Sequence, residues 1–187
     1  FTKTPGLKVV YPAFPEDAKG LLLSAFADPN PVLFFEHKFL YRSTSADVPD
    51  DFYTIEIGKA RLVKKGDKIS IITYGMGVHW ALDYAAAHPD ISIEILDLRS
   101  LQPWDKKAVA ETVMKTGRVL ILHEDTLSSG FGAEISAWIA EHYFEFLDAP
   151  VVRCGSMDTP VPMDKKLEEQ FLAKSLLDEK VKKLLSY

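Results

Sequence analysis

The chain has 187 residues, 47% of them hydrophobic and 26% charged, with a formal net charge of -5. That is enough apolar material for a sizeable core, which excludes a disordered chain, and the length suits one domain or one domain plus a piece of another. The acidic balance and the lack of a long Lys/Arg cluster argue against nucleic acid or an anionic membrane as partner, and no apolar run approaches the ~20 residues that span a bilayer.

The single cysteine, Cys154, excludes an internal disulfide and points to a reducing compartment. With no identified base beside it, it reads as a small residue near a strand end rather than a nucleophile. No secretory leader is legible, and the chain opens at Phe1 without an initiator methionine, which reads as a fragment or a processed product.

In chain order, residues 5–10 (PGLKVV) are a turn leading into a short extended segment, stopped by Tyr11-Pro12. Pro15-Glu16-Asp17 opens a helix, with proline in the first turn and acidic residues at the positive end of the dipole. Ala18, Leu21, Leu22 and Ala25 form its apolar face, and Asp28-Pro29-Asn30-Pro31 ends it. Residues 32–36 (VLFFE) are a short buried strand, so residues 1–36 read as one βαβ unit, parallel in sense. Periodicity disappears over residues 37–56, which read as a linker.

Residues 60–65 and 69–74 read as two strands joined by a turn at Gly66-Asp67. A helix with Val78, Ala81, Leu82 and Ala85 on one face follows, then a strand over residues 91–98 and a helix through Val109 and Val113 that stops near Gly117. The apolar run Val119-Leu120-Ile121-Leu122 is a buried strand that turns polar at His123-Glu124-Asp125 and leads to a helix carrying Ile135, Trp138, Ile139 and His142. A short strand over residues 150–153, a proline-broken loop over residues 158–162 and helical patterns through Leu167, Phe171, Leu177, Val181, Leu184 and Leu185 close the chain. Alternation of strand and helix predicts an α/β layered sheet with right-handed crossovers.

The candidate chemistry sits at strand ends. His123-Glu124-Asp125 lies where open parallel sheets hold ligands, and it equally suits a solvated capping turn. His37, His79 and His123 each follow a strand and face either a cleft or a hydrogen-bonded interior; His88 and His142 fall at helix C-terminal ends, which favour imidazolium. No histidine has a metal-ligand spacing. Gly75-Met76-Gly77 and Gly130-Phe131-Gly132 sit before helices, where a phosphate loop would, but Trp80 stands in place of a third glycine and no Walker lysine follows, so tight turns are the simpler reading. At Asp28-Pro29-Asn30, free helix-end carbonyls with side-chain oxygens suit a hard cation or an ordinary turn.

Taken together, PGLKVV, EDAKGLLLSAF, PNPVLFFE, IGKARLVKKGD, ILDLRSLQPWD, VMKTGRVLILHED, GFGAEISAWI and DTPVP resemble the beta subunits of thiamine-diphosphate-dependent 2-oxo acid dehydrogenases, in order and along nearly the whole chain. Lys38-Phe39-Leu40-Tyr41-Arg42, Gln102-Pro103-Trp104-Asp105 and His123-Glu124 are closer to the branched-chain (2-oxoisovalerate) type than to the pyruvate type. The resemblance implies the tail of a pyrimidine-binding domain over residues 1–45, a linker over 46–56, and a three-layer transketolase C-terminal domain with a mostly parallel sheet over 57–187.

The resemblance also implies oxidative decarboxylation of a 2-oxo acid with acyl transfer to lipoamide. The partners implied are an alpha subunit or alpha half, a second beta subunit and the dihydrolipoyl acyltransferase core. Thiamine diphosphate and Mg2+ are implied as cofactors held mostly by parts outside these residues, since no GDG…N run occurs here. The family's activating glutamate and acyl-transfer histidine match nothing in this segment, so His79, His123 and Glu124 stand as cleft or interface candidates rather than catalytic residues. A structural potassium ion is implied at Ala25, Phe26, Asp28 and Asn30, mainly through main-chain oxygens. Location follows the source: cytoplasmic if bacterial, the mitochondrial matrix if eukaryotic. Two other readings stay open, a non-catalytic module for dimerisation and docking of the acyltransferase core, and another enzyme of the transketolase superfamily.

Overall fold

A computed structural model describes residues 1–187. The chain runs β1 (Lys8–Val10), α1 (Pro15–Ala27), β2 (Val32–Phe34), α2 (Leu40–Ser43), β3 (Arg61–Lys64), β4 (Ile69–Thr73) and α3 (Met76–Ala87). It continues through β5 (Ile93–Asp97), β6 (Ser100–Gln102), α4 (Lys106–Thr116), β7 (Val119–Thr126), α5 (Phe131–Tyr143), β8 (Val152–Ser156), α6 (Lys165–Phe171) and α7 (Leu177–Leu185). The local chemistry explains the boundaries. Helix α4 starts where the Asp105 carboxylate accepts the Ala108 N–H, and it stops at Gly117 in the left-handed conformation.

The larger sheet has the order β3-β5-β4-β7-β8, parallel throughout except at the β3 edge. Side-chain alternation divides its core in two. Ile69 and Ile71 of β4 and Leu120 and Leu122 of β7 face one side, with Trp80 and Ala81 of α3 and Leu177, Val181 and Leu184 of α7. Ile72, Val119 and Ile121 face the other, with Val109 and Val113 of α4 and Ile135 and Ile139 of α5. Helices therefore cover both faces, as the apolar runs of the central strands require. The chain leaves β4 toward one face and β7 toward the other, which makes the gap between their carboxyl ends the switch point of the sheet.

The predicted parallel βαβ unit is present: β1 and β2 pair in parallel around α1. Its sheet, β2-β1-β6, also takes a strand that lay unrecognised inside ILDLRSLQPWD, since β6 pairs antiparallel with β1. Three residues carry too little periodicity to announce a strand.

One further expectation is corrected. The strands around Gly66-Asp67 are not paired with each other; β5 lies between them, antiparallel to β3 and parallel to β4. The connection crosses the start of β5 so closely that a Cβ on Gly66 would strike the backbone of Ile93 and Glu94, so the glycine marks a close crossing rather than a hairpin. Residues 37–56, read as a linker, are held against the first helix. They contain α2 and then run along α1, where Ile55 N–H donates to Gly20 O at 3.2 Å, the Ser24 hydroxyl to Ile55 O at 2.6 Å and the Tyr53 hydroxyl to Glu16 O at 2.7 Å.

The first turn of α1 is fastened to the larger sheet by charge. Asp17, 2% exposed, accepts from Arg61 Nη1 at 2.8 Å on one oxygen and from Arg99 Nη1 at 3.0 Å on the other. Arg99 has a left-handed backbone (φ 56°) and also donates to the carbonyls of Lys59 and Ala60. Its N–H donates to Asp97 Oδ1 at 3.0 Å.

Asp97 is fully buried and its Oδ2 has no partner. Burial pushes its carboxyl up to about 7, assisted by Asp17 and opposed by the Arg99 N–H and guanidinium. A carboxyl whose folded pKa is raised stabilises the fold while protonated in it, and that contribution is lost as pH rises through the folded value. Stability to urea should therefore fall between the ordinary carboxyl value of 3.8 and about 7, and Asp97→Asn should flatten that fall; parallel profiles for the two proteins would refute the assignment.

Candidate functional site

The polar residues singled out at strand ends gather along one seam, where the small sheet meets the carboxyl ends of β4 and β7. Tyr74 follows β4, and its ring stacks on that of His123 from β7 with centroids 6.4 Å apart and planes 13° from parallel. Tyr11, after β1, packs on Tyr74 at 5.9 Å and on Phe35, after β2, at 5.9 Å. The Tyr11 ring also lies over Gly75, whose φ of 54° and lack of a Cβ permit the approach. An aromatic wedge from the small sheet thus fills the switch-point crevice and covers the start of α3, and Gly75-Met76-Gly77 is a packed turn. Burial raises the phenols of Tyr11 and Tyr74 well above their ordinary value, Tyr11 next by the charge of Glu124 and Tyr74 next by that of Asp125, so both stay neutral.

Each of the three candidates is engaged at this seam. His79, in the first turn of α3, meets Ala13 O at 2.7 Å through Nε2; a carbonyl only accepts, so Nε2 carries the proton. Glu124 pairs with His37, whose Nε2 lies 2.9 Å from Oε2 and 3.2 Å from Oε1. That pair ties the segment after β2 to the end of β7. His123 is wholly buried and its Nδ1 lies 3.0 Å from Asp125 O, which fixes the hydrogen on Nδ1 and leaves Nε2 a bare acceptor without a partner. Burial lowers its pKa, against the pull of the Asp125 carbonyl, so it is neutral at physiological pH.

His123 continues the register of Val119 and Ile121, which places its ring under the start of α5. Three glycines make the room: a Cβ on Gly130, Gly132 or Gly155 would meet the imidazole, at 2.5 Å in the case of Gly132. The Gly130-Phe131-Gly132 pair is therefore a cradle for a side chain of the same protein. The candidates share a seam and are engaged by different partners, His79 by Ala13 O, Glu124 by His37 and His123 through Nδ1 by Asp125 O. Sequence reading kept His37 only as one of several cleft histidines and missed its pairing with Glu124, a contact between residues 87 apart that no local signal encodes.

The remaining expected sites behave as their chemistry dictates. The Cys154 thiol is buried against Ala173 O, and burial pushes it up to about 12, which leaves it inert. His88 caps α3 and bonds Tyr84 O; His142 lies in the last turn of α5 and bonds Trp138 O.

At the C-terminal end of α1, Pro29 and Pro31 have no N–H to offer the carbonyls of Ala25 and Ala27, and the Asn30 N–H donates to Asp28 Oδ1 instead of to Phe26 O. Consecutive helix-end oxygens are thereby left without a backbone donor. The Asp28 carboxylate is committed to Lys8 and Asn30 and lies at about 2, held down first by Lys8. A donor set of main-chain oxygens at the negative end of a helix fits a hard monovalent cation.

Comparison with known proteins agrees with this fold. The family described as "Transketolase, C-terminal domain" matches residues 58–175. The chain is 47% identical over 167 residues to the mitochondrial 2-oxoisovalerate dehydrogenase subunit beta 2 of Arabidopsis thaliana, covering 87% of this chain and 46% of that protein. It is 45% identical over 175 residues to the 2-oxoisovalerate dehydrogenase subunit beta of Bacillus subtilis, covering 92% of this chain and 54% of that one. A split-gene transketolase, solved as an inactive beta4 tetramer, superposes with a TM-score of 0.80 at 23% identity over 99% of this chain and 60% of that chain, a likeness of fold. The chain spans about half the length of the curated relatives it matches.

The cradle around His123 predicts a non-additive pair. Gly132→Ala should cost about 2 kcal/mol of unfolding free energy by overpacking, and close to nothing in a His123→Ala background, where the ring is gone. Equal costs in both backgrounds, measured by urea denaturation, would show that the glycine serves something else.

Proposed function

The chain belongs to the transketolase C-terminal domain family, and from that premise we propose that it is the C-terminal portion of a 2-oxo acid dehydrogenase beta subunit of the branched-chain type. The observation that carries this reading is 45–47% identity to 2-oxoisovalerate dehydrogenase beta subunits across 87–100% of these residues. The whole protein would then take part in oxidative decarboxylation of a branched-chain 2-oxo acid with acyl transfer to lipoamide, working with an alpha subunit or alpha half, a second beta subunit and the dihydrolipoyl acyltransferase core. Residues 1–45 would be the tail of the pyrimidine-binding domain, packed through the aromatic seam onto the transketolase C-terminal domain of residues 57–187. No helix is long and apolar enough to cross a membrane; a protein of this type would work in the bacterial cytoplasm or the mitochondrial matrix according to its source.

Thiamine diphosphate and its Mg2+ do not find a binding set among these residues. The sequence has no GDG…N run, and the crevice at the ends of β4 and β7 is filled by Tyr11 and Tyr74. The cofactor would be held by the alpha part and by other portions of the beta subunit, while His79, His123 and Glu124 hold the seam. This gives the segment the work of an assembly module within the enzyme, supported by the protein contacts that engage His79, His123 and Glu124.

The whole beta subunit reconstituted with its alpha partner should release carbon dioxide from 2-oxoisovalerate faster than from pyruvate, and calorimetry should find no saturable thiamine diphosphate binding to the isolated chain at micromolar ligand. A preference for pyruvate would overturn the subtype, and saturable binding would overturn the division of labour.

The carbonyls of Ala25 and Phe26, with main-chain oxygens of Asp28 and Asn30, would hold a structural potassium ion. Replacing lithium with potassium at matched ionic strength should raise the Tm of the full-length protein by a few degrees. Indifference to the cation would remove the site.

A further inference from the structure

Thr73 ends β4 and Asp97 ends β5, and the two are register partners across the parallel pair. Partners in a parallel sheet point to the same face. Alternation from Ile69 and Ile71 on one strand, and from Ile93 and Ile95 on the other, turns both toward α3. Contact agrees for Thr73, because a Cβ on Gly77, in the first turn of α3, would collide with its Oγ1. Both side chains are wholly buried, and neither Thr73 Oγ1 nor Asp97 Oδ2 has a hydrogen-bond partner, in each other or elsewhere in the chain. Unmet buried oxygens are costly, and nearly all are satisfied by protein or by ordered water. Adjacent strands lie about 4.8 Å apart, which brings the two side chains within reach of one bridging molecule.

The surrounding charges select its class. Arg61 and Arg99 stand near enough to Asp97 to favour its ionised form, and Asp17 near enough to oppose it. The two guanidinium groups are matched by Glu16 and Asp17. A cation beside Asp97 would face the guanidinium groups, and an anion would face the carboxyls. A small neutral molecule that both donates and accepts suits a hydroxyl and a protonated carboxyl together. Leu122 O, 3.4 Å from the same Cβ position on Gly77, offers a third contact from the β7 side, where the pairing of β4 with β7 has ended at Ile72 and Ile121.

We propose that the carboxyl end of the β4–β5 pair is a binding site for one internal water molecule, held between Asp97 Oδ2 and Thr73 Oγ1 beneath the first turn of α3. The water accepts the Asp97 carboxyl hydrogen and donates to Thr73 Oγ1, so the buried acid keeps its proton without a charged partner. The site does not depend on the reading of the enzyme or on its substrate.

The test is a crystal structure of the full-length protein at a resolution that shows ordered water, for the wild type, Thr73→Ser and Thr73→Val. The wild type and Thr73→Ser should each hold one water within ~2.7–3.2 Å of both the hydroxyl and Asp97 Oδ2, and Thr73→Val should lose it. Infrared spectra at mildly acidic pH supply a second readout. The carbonyl stretch of the protonated acid, identified by its loss in Asp97→Asn, should move to higher frequency in Thr73→Val and stay in place in Thr73→Ser. A direct bond between Thr73 and Asp97, no ordered molecule between them, or a metal ion with shorter contacts would overturn the proposal. So would a water that persists, with an unmoved carbonyl band, in Thr73→Val. Should that variant fail to fold, the wild-type and Thr73→Ser structures decide alone.

Discussion

A single buried carboxylate sets the arrangement of the two sheets. Asp17 sits in the first turn of α1, and its two oxygens are taken by Arg61 from β3 and Arg99 from the turn between β5 and β6. A carboxylate with almost no access to water is tolerated only when its charge and lone pairs are met, so α1 has one orientation in which it can close. Arg99 adds to the constraint, because its left-handed backbone and its bonds to the carbonyls of Lys59 and Ala60 hold the guanidinium toward Asp17. Its carbonyl also accepts the Tyr11 N–H at 2.7 Å, so the same residue aims the aromatic wedge at the crevice.

That wedge changes the meaning of the strand-end residues. A parallel sheet with helices on both faces offers a cleft at its switch point, and here the cleft receives Tyr11, packed on Phe35, from the same chain. Groups that would face a substrate in an open sheet instead make protein contacts: Glu124 with His37, His79 with Ala13, His123 with the stacked Tyr74. The groups at the seam are neutral phenols, a neutral imidazole and the His37–Glu124 contact, which join the small sheet to the larger one.

Much of this was legible in the sequence. The apolar runs at 69–72 and 119–122, the Asp105 and Gly117 helix signals and the parallel βαβ unit around α1 all follow from local pattern. What was not legible is non-local. Nothing in residues 60–74 shows that β5 would separate the two strands, since Gly66 looks the same in a hairpin and in a crossing. Three residues at 100–102 could not declare themselves a strand without β1 beside them. At the site, alternation along Val119, Ile121 and His123 already pointed the imidazole inward, and the small residues at 130, 132 and 155 make the space for it; the polar triplet drew attention to the strand end when the register held the answer. The His37–Glu124 pair had no such clue.

The antiparallel pairing of β1 with β6 joins Val9 to Gln102 and Val10 to Ser100. These partners lie about ninety residues apart, so this small sheet closes a long loop, whose entropic cost is met only after the larger sheet has brought β5 and the Arg99 turn into place. Loop-closure entropy therefore favours an order in which β4, β5 and β7 condense around their own crossovers and the N-terminal strand, helix and strand dock onto the β6 edge that this creates.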